Sequence, residues 1–126
     1  MNDNYNFNGK NILVVDDDKA SVHMAESCLQ RAGADVLSAS NGSDAVKLVS
    51  DRHIDLILMN IDMPIMDGYE ATSKIRKINK KVPIIAYTTS HLNGEKERCL
   101  QSGFNDYLLK PVYPDVILST IDKYLE

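Results

Sequence analysis

Three short stretches of this chain, Ile12–Val15, Ile54–Met59 and Val82–Tyr87, are almost unbroken apolar runs. Runs of that length and composition suit strands buried on both faces, as happens in a parallel sheet covered by its own crossover helices. The sequence between them has the other periodicity. After the first run, Val22, Ala25, Leu29 and Ala32 recur at helical spacing, and Gly33 is placed to close the helix. Strand must therefore alternate with helix, which restricts the chain to an α/β architecture with right-handed crossovers.

The remaining elements follow the same rule. Asp35–Ala39 reads as a short second strand, and Asn41-Gly42 turns the chain into a helix with Ala45, Leu48 and Val49 facing inward. A third helix is expected over Gly68–Lys77, with Ala71, Ile75 and Ile78 on one face and Glu70, Lys74 and Arg76 elsewhere. Pro83 stands near the start of the fourth strand, where a missing N–H is tolerated. Asn93–Ser102 reads as a polar fourth helix closed by Gly103, Asp106–Leu109 as a fifth strand, and Pro114–Leu125 as a last helix with Leu118, Ile121 and Leu125 on one stripe. Pro is well placed at an early helical position. Five such units in 126 residues are too few for a closed eight-stranded barrel, so an open doubly wound sheet remains.

Open sheets of this kind place their ligands beyond the carboxyl ends of the strands. The residues there are Asp16 and Asp17 after the first strand, Asn60 and Asp62 after the third, Thr88 and Thr89 after the fourth, and Lys110 after the fifth. Clustered carboxylates repel one another unless a cation neutralises them. An all-oxygen donor set without His or Cys points to Mg²⁺ or a similar ion. With Lys110 as a point cation and Thr88 as a hydroxyl donor, such a site could hold a phosphoryl group, and a carboxylate at the end of the third strand could accept it covalently. Position 60 is where that carboxylate would stand.

The motifs Ile-Leu-Val-Val-Asp16-Asp17-Asp18, Asp-Leu-Ile-Leu-Met-Asn60-Ile-Asp62-Met-Pro64-Ile-Met-Asp-Gly68, Pro-Ile-Ile-Ala-Tyr-Thr88-Thr89 and Asp-Tyr107-Leu-Leu-Lys110-Pro111 together resemble the receiver domain of bacterial two-component signalling. The likeness runs from Lys10 to Leu125. Asp67-Gly68-Tyr69-Glu70-Ala71 and Gly94-Glu-Lys-Glu-Arg-Cys99-Leu look most like receivers of hybrid sensor histidine kinases. Residues 1–9, rich in Asn and without periodicity, read as a flexible or loosely attached lead-in. The resemblance implies a single flavodoxin-like (βα)5 domain over residues 10–126, with five parallel strands in the order 2-1-3-4-5. It further implies a Mg²⁺ site formed by Asp16, Asp17, Asn60 and the backbone carbonyl of Asp62. Thr88 matches the family's switch hydroxyl, Tyr107 its switch aromatic and Lys110 its cation. The partners implied are a histidine kinase or phosphotransfer protein, with a downstream effector on the face of the fourth helix, fifth strand and fifth helix.

Asn60 falls on the phosphoacceptor position of that family. A carboxamide has nearly the shape of a carboxylate but no charge, and its nitrogen lone pair is delocalised, so it cannot form an acyl phosphate. The domain as written is expected not to be phosphorylated there, and its Mg²⁺ site to be weakened, because one charged ligand becomes a neutral carbonyl oxygen. Asn60 fits either a natural pseudo-receiver or a substitution that locks the unphosphorylated form. Retention of Asp16, Asp17, Thr88, Tyr107 and Lys110 favours the second, or a recent natural loss.

Other classes are disfavoured by particular residues. A phosphatase of the haloacid dehalogenase type needs its nucleophile on the first strand and usually a cap domain, for which there is no room. A flavodoxin-like cofactor binder needs Ser, Thr and Gly after the first strand, where Asp16–Asp18 would repel phosphate. A phosphorylation-independent interaction module with a receiver fold stands as the alternative, and no enzymatic turnover is expected. A net charge of −4 and a pI near 5.3 disfavour nucleic acid. The absence of a 20-residue apolar run and of a signal peptide leads to the expectation of a cytoplasmic chain without membrane insertion. Cys28 and Cys99 read as reduced packing thiols, His23, His53 and His91 as residues without ligand roles, and Met59, Met63 and Met66 as packing around the third-strand loop.

Overall fold

The structure, a computed structural model, describes residues 5–89 and 93–125. Five parallel strands form one sheet in the order β2-β1-β3-β4-β5. These are β1 (Asn11–Val15), β2 (Asp35–Ala39), β3 (Leu56–Met59), β4 (Ile84–Thr88) and β5 (Asp106–Leu109). The crossovers are α1 (Lys19–Arg31), α2 (Gly42–Asp51), α3 (Gly68–Ile78) and α4 (Glu95–Gln101), and α5 (Pro114–Asp122) follows β5. The expected fold and strand order are those observed. The order reverses between β1 and β3, so the crevice at their carboxyl ends is the switch point of the sheet.

The three central strands are buried on both faces, which is why they read as continuous apolar runs. Side chains alternate between two cores. Val14, Leu56, Leu58, Ile85 and Tyr87 meet α1 and α5 residues such as Leu29, Ile117 and Ile121. Leu13, Ile57, Met59, Ile84 and Ala86 meet Ala45, Val49, Ala71, Ile75 and Cys99 from α2, α3 and α4. Local chemistry sets the helix ends. Asn41 caps α2 by accepting from the Asp44 N–H at 2.9 Å, and Asp67 caps α3 by accepting from the Glu70 N–H at 2.9 Å. Gly33, with φ of 98°, takes the left-handed conformation after α1 at little cost.

Several expectations need adjustment. Residues 5–9 do not form a loose lead-in: Phe7 is 1% exposed within the α1/α5 core, and its N–H donates to the Ala32 carbonyl at 2.7 Å. An Asn-rich segment conceals this because one aromatic residue has no periodicity. Ile78 is exposed, since α3 runs past the edge of its core there. The last helix ends at Asp122, with Leu125 only partly buried. Arg76 is a tether rather than a solvated charge. Its guanidinium donates to the carbonyls of Val82 (2.6 Å) and Gly103 (2.8 and 3.0 Å) and to Asn105 Oδ1 (2.8 Å), fastening α3 to the entries of β4 and β5. Cys28 and Cys99 are buried and unbridged, as expected, whereas His91 lies outside the described residues.

Candidate functional site

Each residue of the crevice arrives on a strand whose end is fixed by a neighbour. The Asp16 N–H donates to the Ala39 carbonyl at 3.0 Å, the Asn60 N–H to the Val15 carbonyl at 2.8 Å, and the Lys110 N–H to the Thr88 carbonyl at 2.7 Å. These bonds extend the ladders one step past the strands and hold Asp16, Asn60, Thr88 and Lys110 in a row along one sheet edge. Asp16, Asn60 and Thr88 are buried, whereas Asp17 faces solvent.

One carboxylate of the crevice is paired. Lys110 Nζ donates to Asp16 Oδ2 at 2.5 Å and to Ser21 Oγ at 3.2 Å, and it lies 4.6 Å from the centre of the Tyr87 ring. Two carboxylates against one ammonium leave a single net negative charge. Burial, followed by the charge of Asp16, pushes the Tyr87 phenol up to about 12, so this ring stays a neutral wall under Lys110.

Asn60 occupies the centre. Its Nδ2 donates to the Asp62 carbonyl at 3.0 Å, to Asp16 Oδ1 at 3.3 Å and to Asp17 Oδ1 at 3.4 Å. Its Oδ1 accepts from the Ile61 N–H at 3.0 Å, which fixes the direction of the amide. The loop that follows closes tightly, because Gly68 donates its N–H to the Ile61 carbonyl at 2.7 Å, and a Cβ there would lie 2.4 Å from the Asn60 carbonyl oxygen. Asp16, Asp17, Asn60, the Asp62 carbonyl and Lys110 are thus brought together. Tyr107 stands in register with Ala86 on the adjacent strand and packs half-buried against the α2–α4 core, with burial raising its phenol.

The three oxygens around Nδ2 are hard donors of the kind Mg²⁺ prefers, but that ion needs ligand oxygens at about 2.0–2.1 Å. What they surround is an N–H donor that they meet at hydrogen-bond distance. As arranged, the set does not fit the ion, and among the described residues no three His, Cys, Asp or Glu side chains gather to hold a metal.

Two features escape a reading of motifs. Ser21 lies in the first turn of α1, where only the fold brings it to Lys110. Tyr69 hydrogen-bonds the buried Glu95 and lies 3.6 Å from Cys99 Sγ, and the Arg98 guanidinium stacks 4.0 Å above its ring. The spacing of Glu95 and Cys99, one turn apart, is the available signal for that cluster. From Asp16 and Asp17 a groove of about 840 Å³ continues along β2 between α1 and α2, with His23, Glu26, Ser38 and Asp44 in its walls.

The response regulator receiver domain is the family whose model matches residues 12–122. The sensor histidine kinase RcsC of Escherichia coli (strain K12) is 41% identical over 115 residues, covering 91% of this chain and 12% of that kinase. The receiver domain of sensor histidine kinase PA1611 from Pseudomonas aeruginosa PAO1, solved with a magnesium ion coordinated in its active site cleft, superposes with a TM-score of 0.86 at 36% identity, covering 93% of this chain and 98% of that one. A CheY-like receiver domain from Methanospirillum hungatei JF-1 gives a TM-score of 0.87 at 28% identity, covering 92% of this chain and 93% of that one. The chain belongs to the response regulator receiver family, the signalling modules of two-component phosphorelays. It spans 12% of the length of RcsC.

Proposed function

We propose that this chain is a receiver whose acceptor position is filled by Asn60, and that it signals through partner docking without being phosphorylated at that position. The observation that carries this reading is the place of Asn60 at the end of β3, beside Asp16, Asp17 and Lys110 and at hydrogen-bond distance from both carboxylates. The amide supplies no nucleophilic oxygen there, and the buried carboxylate beside it is already engaged. Asp16 is committed to Lys110 through Oδ2, while its Oδ1 accepts from the Asp18 N–H at 3.0 Å. Mg²⁺ can be held here only if the amide N–H turns away from the three oxygens, so its binding is weaker than in a relative with Asp at this position.

The partner on this reading is a histidine kinase or a phosphotransfer protein, by likeness to the receiver domains of RcsC and PA1611. The surface for a downstream effector is the α4, β5, α5 face. Leu100, Leu109, Tyr113 and Val116, all exposed large apolar side chains, lie on these elements and the loop between β5 and α5. Exposed apolar groups grouped in this way favour protein association.

The test is phosphoryl transfer from acetyl phosphate with MgCl₂, followed by intact-mass spectrometry. The parent chain should gain no phosphoryl mass, and Asn60→Asp should gain one. A phosphorylated parent peptide containing residue 60 would overturn the reading. Charge reversals on α4 and α5 that leave partner affinity unchanged would remove the effector face.

A further inference from the structure

We propose that the Asn60 carboxamide is a built-in substitute for the divalent cation, holding the acidic crevice together in the absence of metal. This inference rests on the reading of position 60 given above and extends it to how the site is regulated. Three oxygens from two separate segments, Asp16 Oδ1, Asp17 Oδ1 and the Asp62 carbonyl, converge on one nitrogen at 3.3, 3.4 and 3.0 Å. The Asp62 bond has ordinary length and uses one amide proton, and the two carboxylates share the other in longer, bifurcated contacts. A bound cation would draw the same oxygens inward. The amide does so with the partial positive charge of its N–H groups.

The direction of the amide is set by its other end. Asn60 Oδ1 accepts from the Ile61 N–H at 3.0 Å. Turning the side chain over would point NH₂ at that N–H and place Oδ1 against three oxygens, exchanging four attractive contacts for repulsive ones. Asn60 and Asp16 are enclosed, at 8% and 2% exposed, so a lost contact between them is not replaced freely by water, whereas Asp17 faces solvent. A carboxylate at position 60 would be a third negative charge within hydrogen-bond distance of Asp16 and Asp17, with Lys110 as the one cation bonded among them within the described residues. It would repel both until a cation entered. Asn60 removes that requirement, so the crevice is assembled whether or not Mg²⁺ is available.

The test uses the intact chain and its Asn60→Asp and Asn60→Ala variants, melted in EDTA and in millimolar MgCl₂. The parent should melt at the same temperature in both. Asn60→Asp should melt roughly 5 °C lower in EDTA and recover in MgCl₂, whereas Asn60→Ala should be lowered in both without recovery. The Asn60 side-chain NH₂ signals, assigned by their loss in the variants, should not move when MgCl₂ is added. The proposal is overturned if MgCl₂ raises the parent's melting temperature as much as that of Asn60→Asp, if Asn60→Asp in EDTA is as stable as the parent, or if the NH₂ signals shift with Mg²⁺. Acetyl phosphate labelling is a separate readout: a phosphorylated parent removes the functional reading, whereas the melting and NH₂ results judge the cation substitute alone.

Discussion

Lys110 Nζ meets Asp16 Oδ2 at 2.5 Å with side-chain exposures of 11% and 1%, so each charge in the crevice depends on the other to be buried at all. Removing one partner leaves an uncompensated charge, which costs more than the pair itself contributes. Lys110→Met should destabilise the chain by about 3 kcal/mol, read as a shift in urea midpoint with an unchanged slope. Combining it with Asp16→Asn should restore part of that loss. Equal stability of the single and double variants would show that the pair is not energetically buried.

Alkaline pH should expose two buried acids in sequence. Burial first, and the charge of Glu95 second, push the Cys99 thiol from 9.0 up to about 11, and burial moves the Tyr87 phenol from 10.0 to about 12. Both are neutral when protonated. The unfolded chain therefore releases these protons first, so the folded state holds more protons between about pH 9 and 12, and stability falls as pH rises through that window. Below about pH 9 the contribution is complete. Urea midpoints across the range should show the fall, and Cys99→Ala should make it shallower above about pH 9 without abolishing it, because burial raises the Cys28 thiol as well.

Phe7 makes the N-terminal segment part of the folded body. Phe7→Ala should cost about 3 kcal/mol, the usual consequence of emptying a fully buried aromatic site. A chain starting at Lys10 should lose at least as much, because the Phe7 N–H to Ala32 carbonyl bond disappears too. Thermal melting of both variants checks this, and a truncated chain as stable as the parent would show that the segment adds nothing.

Ile65 holds a φ of 71° in the loop after β3, a conformation that β-branched residues resist, and its side chain is 81% exposed. Ile65→Asn keeps the backbone conformation with a residue that tolerates it and removes no core contact. Stability should rise by about 1 kcal/mol. A variant less stable than the parent would mean that Ile65 is held by contacts that outweigh its strain.

The architecture was legible because burial on both faces writes itself into sequence as Ile-Leu-Val-Val and Leu-Ile-Leu-Met, and because Asn41 and Gly33 mark helix boundaries by local chemistry. The gathering of Asp16, Asn60 and Lys110 was legible for a topological reason: carboxyl ends of parallel strands share one edge. What sequence could not disclose depends on side-chain direction across long separations. The bond from Lys110 to Ser21, the seat of Arg76 on the carbonyls of Val82 and Gly103, and the turn of the Asn60 amide toward Asp62 are all set by packing. Phe7 was hidden for the opposite reason, being a single anchor in a stretch with no pattern.

The seven-residue α4 begins at Glu95 after Gly94, an N-cap with no side chain, and Tyr69 of α3 is one of its fastenings, through Glu95, Arg98 and Cys99. A helix of two turns has little cooperativity of its own. Its amide protons are therefore set to exchange through a local opening that leaves the sheet intact, at a free energy below that of global unfolding. Tyr69 in this view works as a latch: it sets how often one segment of the molecule melts while the rest stays native.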